Sequence, residues 1–426
     1  MSPFTQSISV WQGIALYVGA VVGSGILILP GITAGIAGPN ALLSWVGMAC
    51  LGMPLASTFA FLARKYPSAG GVATFVEKAF GRYAGAIIGW FYFIAAAVGQ
   101  IIVPLTGGMY LTYALQLPSE MAFVTAGVIV LAAVTANYLG IKTSGKVQLI
   151  ICGLTLLVLL GTIVLALPLI EAENLTINLT SDEAIASVGT AGMLIFWSFF
   201  GWEAITSLAP EFQNPKRDIV RATIGAVIIV GIVYVGSAVA VIGTHSYSIG
   251  TDTINQSMNH ASLVQLITLT TGVNGGYATA IVALIICLGT TNAFVAGISR
   301  LGYSLAEEKM APSWLYWMNE KYSTPSRVIF FVGVVAIGGL TMTYAWEIGL
   351  EQLVYIPNSL GIATYILGAL AGVKLLPSNM EKGMAGFTCL VCSLAYPFVG
   401  VFIQIPIVVA VGCFLYVYGR QMREQP

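Results

Sequence analysis

Two glycines flank a serine at Gly23-Ser24-Gly25, inside an apolar stretch that is long enough to cross a bilayer. Glycine weakens a helix, and a helix that breaks in hydrocarbon exposes N–H and C=O groups that protein, water or a ligand must satisfy. The N–H groups of Ser24, Gly25 and Ile26 would open a second half-helix here and bind an anion. The alternative is that these small residues only allow close helix packing.

A second interruption is predicted around Gly201, where carbonyl groups freed near Trp197 and Phe200 would accept hydrogen bonds from a cation. Glu203 is the only acid that the sequence places deep within a predicted span, and an ionised carboxylate there is costly and usually functional. We therefore predict a gating or coupling role for Glu203 and its neighbour Trp202. The alternative is that Glu203 only stabilises the start of the second half-helix through the helix dipole.

Donors on one interrupted helix and acceptors on the other fit a zwitterion, so the predicted ligand is an α-amino acid held by its shared backbone atoms. No Lys or Arg and no second acid lies deep within a span to pair with a charged substrate side chain. We therefore expect a neutral, apolar substrate. Its side chain would be lined by apolar and amide residues, namely Gln100, Val103 and Pro104 on the third span, Phe294 on the eighth, and Asn358 and Ser359 on the tenth.

The elements that position these residues are predicted to be membrane helices. The 426 residues are 58% hydrophobic and 8% charged, and the mean hydropathy is +0.90. A soluble domain cannot hide so much apolar surface, whereas repeated apolar runs of about 20 residues are typical of spanning helices. The sequence predicts an all-α polytopic membrane protein, one transmembrane domain over residues 1–426. Its transmembrane helices, about twelve in number, are predicted at residues 10–36, 41–63, 82–114, 119–138, 146–169, 187–211, 219–243, 263–306, 327–345, 351–374, 384–400 and 402–419.

The order of the spans also predicts topology. All 17 Lys and Arg residues fall on one side of the membrane, so the positive-inside rule places both termini in the cytoplasm. Spans one and six, which hold the two interruptions, then cross the membrane in opposite directions. Two five-helix units of this kind, residues 10–169 and 187–374, describe an inverted-topology repeat. Residues 384–419 add two further helices.

Other functional classes lack support in the sequence. A net charge of zero gives no argument for a nucleic-acid partner, and a channel would need rings of charge that this chain lacks. The pair Cys389-x-x-Cys392 has no second pair or histidine to complete a metal site, and His245 and His260 flank a polar loop where we expect them to be solvated. We therefore expect no catalytic set, no metal and no cofactor. The expected partners are the substrate, the lipid bilayer and coupling protons, with the oligomeric state left open.

The chain resembles the amino acid–polyamine–organocation superfamily over essentially its whole length. Five runs in order carry the resemblance: Gly23 to Ile26, Tyr66 to Gly71, Trp197 to Glu203, Asn214 to Arg217, and Ser299 to Tyr303 with Pro312. Within the superfamily it is most similar to the bacterial inner-membrane exporters of methionine and branched-chain amino acids, through residues 66–81 and 196–222. The resemblance implies a LeuT-like five-plus-five inverted repeat in which helices one and six are broken.

The resemblance also implies roles for individual residues. Ser24 and Gly25 would bind the substrate carboxylate, and the carbonyl groups of Val21, Trp197 and Phe200 would bind its amine. A gating role would belong to Trp197, Glu203 and Phe294, and Gln100 stands where an arginine-specific relative has an asparagine that contacts the substrate. Those assignments remain expectations that come from the family.

The coupling ion is left open. Some proton-coupled members carry a lysine on span five that replaces a sodium ion, and Thr155 occupies that position here. Thr290 and Thr291 could help to form a sodium site, although two threonines on a membrane helix usually serve packing.

These observations predict a secondary transporter of neutral amino acids in the bacterial inner membrane. The expected activity is export of methionine, leucine, isoleucine and valine by proton antiport, with alternating access around the paired interruptions. The alternative is a proton-coupled importer of the same substrates, because only the resemblance indicates the direction of transport.

Overall fold

The computed structural model describes residues 8–67, 71–140, 145–203, 206, 209, 211–249 and 253–424. These residues form helices, connecting segments and two isolated β-bridges, Ile8–Phe212 and Asn319–Thr324. The α-helices, in chain order, are α1 (Val10–Val21), α2 (Ser24–Ala37), α3 (Ala41–Lys65), α4 (Gly71–Phe80), α5 (Arg82–Leu115), α6 (Glu120–Tyr138), α7 (Gly145–Ala166), α8 (Asp182–Ile195), α9 (Pro215–Gly243), α10 (Thr253–His260), α11 (Ser262–Thr271), α12 (Val273–Glu307), α13 (Ser326–Ala345), α14 (Leu350–Leu375), α15 (Asn379–Ala395) and α16 (Gln404–Glu424).

Nine helical segments of the described residues are long and apolar enough to cross a membrane, and α1 and α11 are shorter apolar helices. Large apolar side chains such as Val128, Leu157, Phe330 and Val408 are exposed on α6, α7, α13 and α16, where lipid would cover them. The chain is therefore a polytopic helical membrane protein. The total of about twelve spans and the inverted repeat stay predictions.

The centre of the molecule is α2, which is buried along almost its whole length. Helices α5, α8, α9, α10 and α11 all contact it. The preceding helix α1 begins with a capping box, in which the Ser9 hydroxyl accepts from the Gln12 N–H and the Gln12 side chain accepts from the Ser9 N–H. The first predicted span, residues 10–36, therefore consists of two helices, α1 and α2, which are separated by the interruption after Val21.

The prediction that the eighth span, residues 263–306, is a single helix is wrong. The structure ends α11 at Thr271 and begins α12 at Val273, with Gly272 between them at φ +81°. Backbone in this left-handed region favours glycine, so Gly272 separates the two helices. Helices α4 and α10 also occupy segments that the sequence assigned to loops.

His260 is buried, so the expectation that it is solvated is wrong; His245 is exposed as expected. The His260 Nε2 lies 3.1 Å from Glu351 Oε1 and joins α10 to the start of α14. The burial follows from the close approach of α10 to α2, because a Cβ on Gly31 would lie 2.2 Å from the Asn259 carbonyl oxygen. Only a glycine permits that approach.

Some sequence features lie outside the described residues. They include residues 68–70 of the run from Tyr66 to Gly71, and Lys142, which follows the fourth predicted span. They also include residues 204, 205, 207, 208 and 210, which cover much of the predicted second half of span six.

Candidate functional site

The first interruption lies between α1 and α2. The Val22 ψ of 80° and the Gly23 φ and ψ of −113° and −149° depart from helical values. Ser24, Gly25 and Ile26 form the first turn of α2, all three are buried, and no side chain of the described residues caps this end. The first N–H groups of a helix lack partners within it, and the helix dipole adds positive character there. This buried helix start can therefore bind an anion.

The second interruption follows α8, where Phe196–Phe199 form a 3-10 turn and the chain then leaves the helical conformation. Gly201 has a φ of +123°, and a Cβ there would lie 2.8 Å from the Ala20 carbonyl oxygen on α1. Both the positive φ and the close approach require glycine. The second interruption thus lies directly against the end of α1.

Ser198 brings the two interruptions into contact at a second point. A Cβ on Gly25 would lie 2.5 Å from the Ser198 Oγ and 3.1 Å from its Cα. The Ser198 hydroxyl is buried and has no hydrogen-bond partner among the described residues. Buried polar groups are rarely left unpaired, so this hydroxyl marks a position that a polar ligand atom or a water could occupy.

Tyr234 on α9 connects the two interruptions through backbone carbonyls. Its hydroxyl lies 2.8 Å from the Val21 oxygen and 2.9 Å from the Ser198 oxygen, and its side chain is fully buried. The Val21 oxygen also accepts from the Gly23 N–H at 2.9 Å. A hydroxyl has one proton, so Tyr234 donates to one of these two oxygens at a time, and the Val21 oxygen keeps a lone pair for a ligand when the proton is directed at Ser198.

We expect Tyr234→Phe to weaken substrate binding about three- to tenfold, because the two interruptions lose a hydrogen bond that positions them, and such a bond contributes about 0.5–1.5 kcal/mol. The Ser198 oxygen would lose its donor, and the two interruptions would lose their shared link. Substrate affinity and the thermal unfolding midpoint, both measured on the purified protein, check this. Tyr110→Phe is the matched control, because the buried Tyr110 hydroxyl donates to the Leu27 carbonyl, one turn beyond the interruption. A similar affinity loss in both variants would contradict a specific role for Tyr234.

Aromatic residues form one wall beside the interruptions. Trp197 and Phe200 are half-buried, and their rings meet edge to face at 5.9 Å. A Cβ on Gly99 of α5 would lie 3.2 Å from the Trp197 ring, and one on Gly361 of α14 would overlap the Phe200 ring at 1.7 Å. Next to Gly99, Gln100 is buried and its Oε1 has no partner among the described residues. The wall can therefore contact an apolar side chain and offer one amide oxygen.

The Glu203 carboxylate is buried within the second interruption. Its Oε2 accepts from the Gly201 N–H at 3.1 Å and from the Tyr365 hydroxyl on α14. The Tyr365 hydroxyl also lies 3.3 Å from the Phe199 oxygen. Trp202 is also buried, with its ring 6.0 Å from that of Tyr17 on α1. Glu203 and Trp202 therefore link the second interruption to α14 and α1 respectively.

Two predicted residues, Phe294 and Asn358, have other surroundings. Phe294 packs against a second hydrophobic cluster that contains Ala96 and Ala97, rather than the cluster that contains the interruptions. Asn358 donates to the Met193 carbonyl at 2.6 Å and so ties α14 to the last turn of α8. Its Oδ1 is buried without a partner among the described residues.

Thr290 and Thr291, the residues that could help to form a sodium site, lie on α12. The Thr290 methyl group is the nearest atom to a Cβ built on Gly23, at 3.9 Å, so α12 passes the first interruption. The buried Thr291 hydroxyl donates to the Cys287 carbonyl at 2.7 Å within its own helix. That bond agrees with a packing role for Thr291 and leaves only its lone pairs free for a cation.

Comparison with known proteins identifies the family. Residues 8–419 match the family described as amino acid permease. The chain belongs to this family. It is 33% identical to the uncharacterized amino acid permease YecA of Bacillus subtilis, over 98% of this chain and 96% of that protein. It is 28% identical to the L-methionine/branched-chain amino acid exporter YjeH of Escherichia coli, over 100% of this chain and 99% of that protein. It is 26% identical to the branched-chain amino acid permease BcaP of B. subtilis, over 88% of this chain and 81% of that protein.

Membership makes this permease an amino acid transporter of the membrane rather than an enzyme. Three residues at its interruptions were missed as site residues: Ser198, Tyr234 and Tyr365. One signal was available, because a tyrosine hydroxyl buried in a membrane span must find a hydrogen-bond partner. The sequence could not tell which carbonyl or carboxylate that partner would be.

Proposed function

We propose that this permease exports neutral amino acids, chiefly methionine, leucine, isoleucine and valine, in exchange for protons. One observation carries the proposal: the uncapped start of α2 lies against the carbonyl-rich turn after α8, at the Gly25–Ser198 approach. The N–H groups of Ser24, Gly25 and Ile26 would bind the substrate carboxylate. Carbonyl groups of Trp197 and Phe200 would bind its amine, with Val21 contributing when the Tyr234 proton is directed at the Ser198 oxygen.

The substrate side chain would meet Trp197, Phe200 and Gln100, none of which carries a charge. The single acid nearby, Glu203, already accepts two hydrogen bonds at one oxygen. An anionic substrate side chain would therefore be buried without a counter-charge, which is costly, and a cationic one would have only Glu203, which the Gly201 N–H and the Tyr365 hydroxyl already hold. The names of YjeH and BcaP support the same substrate class. Phe294 on α12 and Asn358 on α14 would complete the lining around the substrate side chain.

Transport would proceed by alternating access in the bacterial inner membrane, with both termini cytoplasmic. Residues 10–169 and 187–374 would form the two inverted repeats, and the interruptions would stay near the midplane while the helices around them move. Glu203 would carry the coupling proton, because it is buried at the second interruption and is joined to α14 through Tyr365. Protonation would remove its charge and weaken that link.

Competition counterflow in proteoliposomes tests the proposal. Vesicles preloaded with one amino acid are supplied with labelled substrate, a panel of competitors and an imposed pH gradient of either sign. We expect methionine and the branched-chain amino acids to compete with the labelled substrate, and lysine and glutamate not to compete. Efflux should accelerate when the side that receives the amino acid is acidic. Competition by charged amino acids would contradict the substrate class.

The direction of transport needs cells as well as vesicles. A strain that lacks the permease should become more sensitive to methionine and to leucine-containing dipeptides, because internal amino acid would accumulate. Loss of uptake in that strain, with unchanged sensitivity, would instead establish the proton-coupled importer. Saturable transport in the proteoliposomes that requires sodium but no pH gradient would contradict proton coupling.

A further inference from the structure

A cavity of about 460 Å³ lies away from the interruptions, at the C-terminal end of α3. It is lined by Arg64, Lys65, Lys216, Pro377 and Glu381. These residues come from three parts of the chain: the last turn of α3, the first turn of α9 and the connection from α14 into α15. The cavity therefore joins helices that are far apart in the sequence.

Three of the lining side chains are cations and one is an acid, so the lining carries a net formal charge of +2. The Arg64 guanidinium pairs with Glu381, and the Lys65 ammonium donates to the Leu375 carbonyl. Lys216 is exposed and has no partner among the described residues. An ammonium has three donors and a guanidinium has five, so all three cations keep N–H groups for a ligand.

Glu381 gives this cavity an organisation that a solvated cluster of basic residues lacks. Its side chain is 8% exposed and one oxygen holds Arg64, so the guanidinium position is set before any ligand arrives. Its second oxygen is buried without a hydrogen-bond partner among the described residues. That oxygen can accept from an O–H or N–H group of a ligand that the cations bind.

We propose that this cavity binds a phosphate group whose ester carries an O–H or N–H donor. The chemistry is that of a glycerol or ethanolamine phosphate, which a lipid headgroup or a soluble phosphate ester would supply. The position favours a lipid, because α3 and α14 are apolar helices long enough to span a membrane and both end at the cavity. Basic pockets between transmembrane helices bind lipid phosphates in this way. An occupant would join α3, α9 and the α14–α15 connection.

Thermal unfolding of the purified full-length protein in detergent tests the site, because a ligand that binds only the folded state raises the unfolding midpoint. The probes are dihexanoyl phosphatidylglycerol, dihexanoyl phosphatidylcholine, which has no O–H or N–H donor on its headgroup, and glycerol 3-phosphate. We expect phosphatidylglycerol to raise the midpoint more than phosphatidylcholine does. Lys216→Gln should require about fivefold more phosphatidylglycerol for the same shift, the effect of one lysine near an anionic headgroup.

Arg217→Gln is the matched control, because Arg217 is also exposed, follows Lys216 directly and does not line the cavity. It removes the same charge and should leave the response unchanged. A shift with glycerol 3-phosphate that Lys216→Gln weakens equally would support the site with a soluble ester as its ligand. Equal weakening in both variants, or no shift with any probe, would overturn the proposal.

Discussion

Gly25→Val is expected to abolish substrate binding while the protein still folds. A Cβ at this position would lie 2.5 Å from the Ser198 Oγ and 3.1 Å from the Ser198 Cα. A hydroxyl can rotate, but a Cα moves only with its backbone, so the larger side chain must displace one interruption from the other. Hydrogen bonds to a charged group contribute about 1.5–3 kcal/mol each, and losing two from the α2 start lowers affinity by about a hundredfold or more.

Binding of labelled methionine or leucine to the purified variant measures this loss. Gly25→Ala should have an intermediate effect, because one methyl group meets Ser198 without the branch of valine. Gly19→Ala is the control on the same predicted span, since its Cβ would lie 3.6 Å from the Cys152 Cβ, an ordinary contact. An unchanged affinity in a folded Gly25→Val protein would exclude the helix start as the carboxylate site.

The first interruption was predictable because hydrocarbon restricts what a backbone can do. Gly23-Ser24-Gly25 lies in an apolar stretch, and the structure ends one helix at Val21 and begins the next at Ser24. The same local signal is present at Gly272, yet the apolar run over residues 263–306 predicted one helix. Glycine content alone does not distinguish a glycine that permits close packing from one that ends a helix, because tertiary neighbours decide between the two.

The remaining features depended on contacts between distant parts of the chain. His260 is buried because α10 folds back onto α2 at Gly31, and no local pattern around His260 indicates that approach. The partners of Tyr234 and Tyr365 depend on which spans are neighbours. Phe294 was expected to line the site, and the described packing places its side chain against the second hydrophobic cluster. A position on a helix does not by itself determine which face meets the ligand.

Glu203→Gln is expected to remove the stimulation of efflux by a pH gradient while leaving substrate binding and counterflow nearly intact. Both hydrogen bonds to the Glu203 side chain fall on one oxygen, from the Gly201 N–H and the Tyr365 hydroxyl. A glutamine carbonyl can accept the same two bonds, so the geometry of the second interruption is kept. The amide cannot take up or release a proton near neutral pH, so only the coupling is lost. Efflux from proteoliposomes with and without the gradient, compared with counterflow at equal pH, separates the two effects.

Tyr365→Phe distinguishes coupling from architecture, because it removes one donor but leaves a carboxylate that still titrates. That variant should transport more slowly and keep its response to the pH gradient, since the Phe199 oxygen and Glu203 both lose the Tyr365 hydroxyl. If Glu203→Gln kept the full response to the gradient, the carboxylate would serve only to hold Gly201 and Tyr365 in place. Loss of the pH response in Glu203→Gln, together with a retained response in Tyr365→Phe, would show that the proton acts at Glu203 itself. A purely structural link would give the reverse result, because losing the Tyr365 hydroxyl weakens it more than exchanging the acid for its amide.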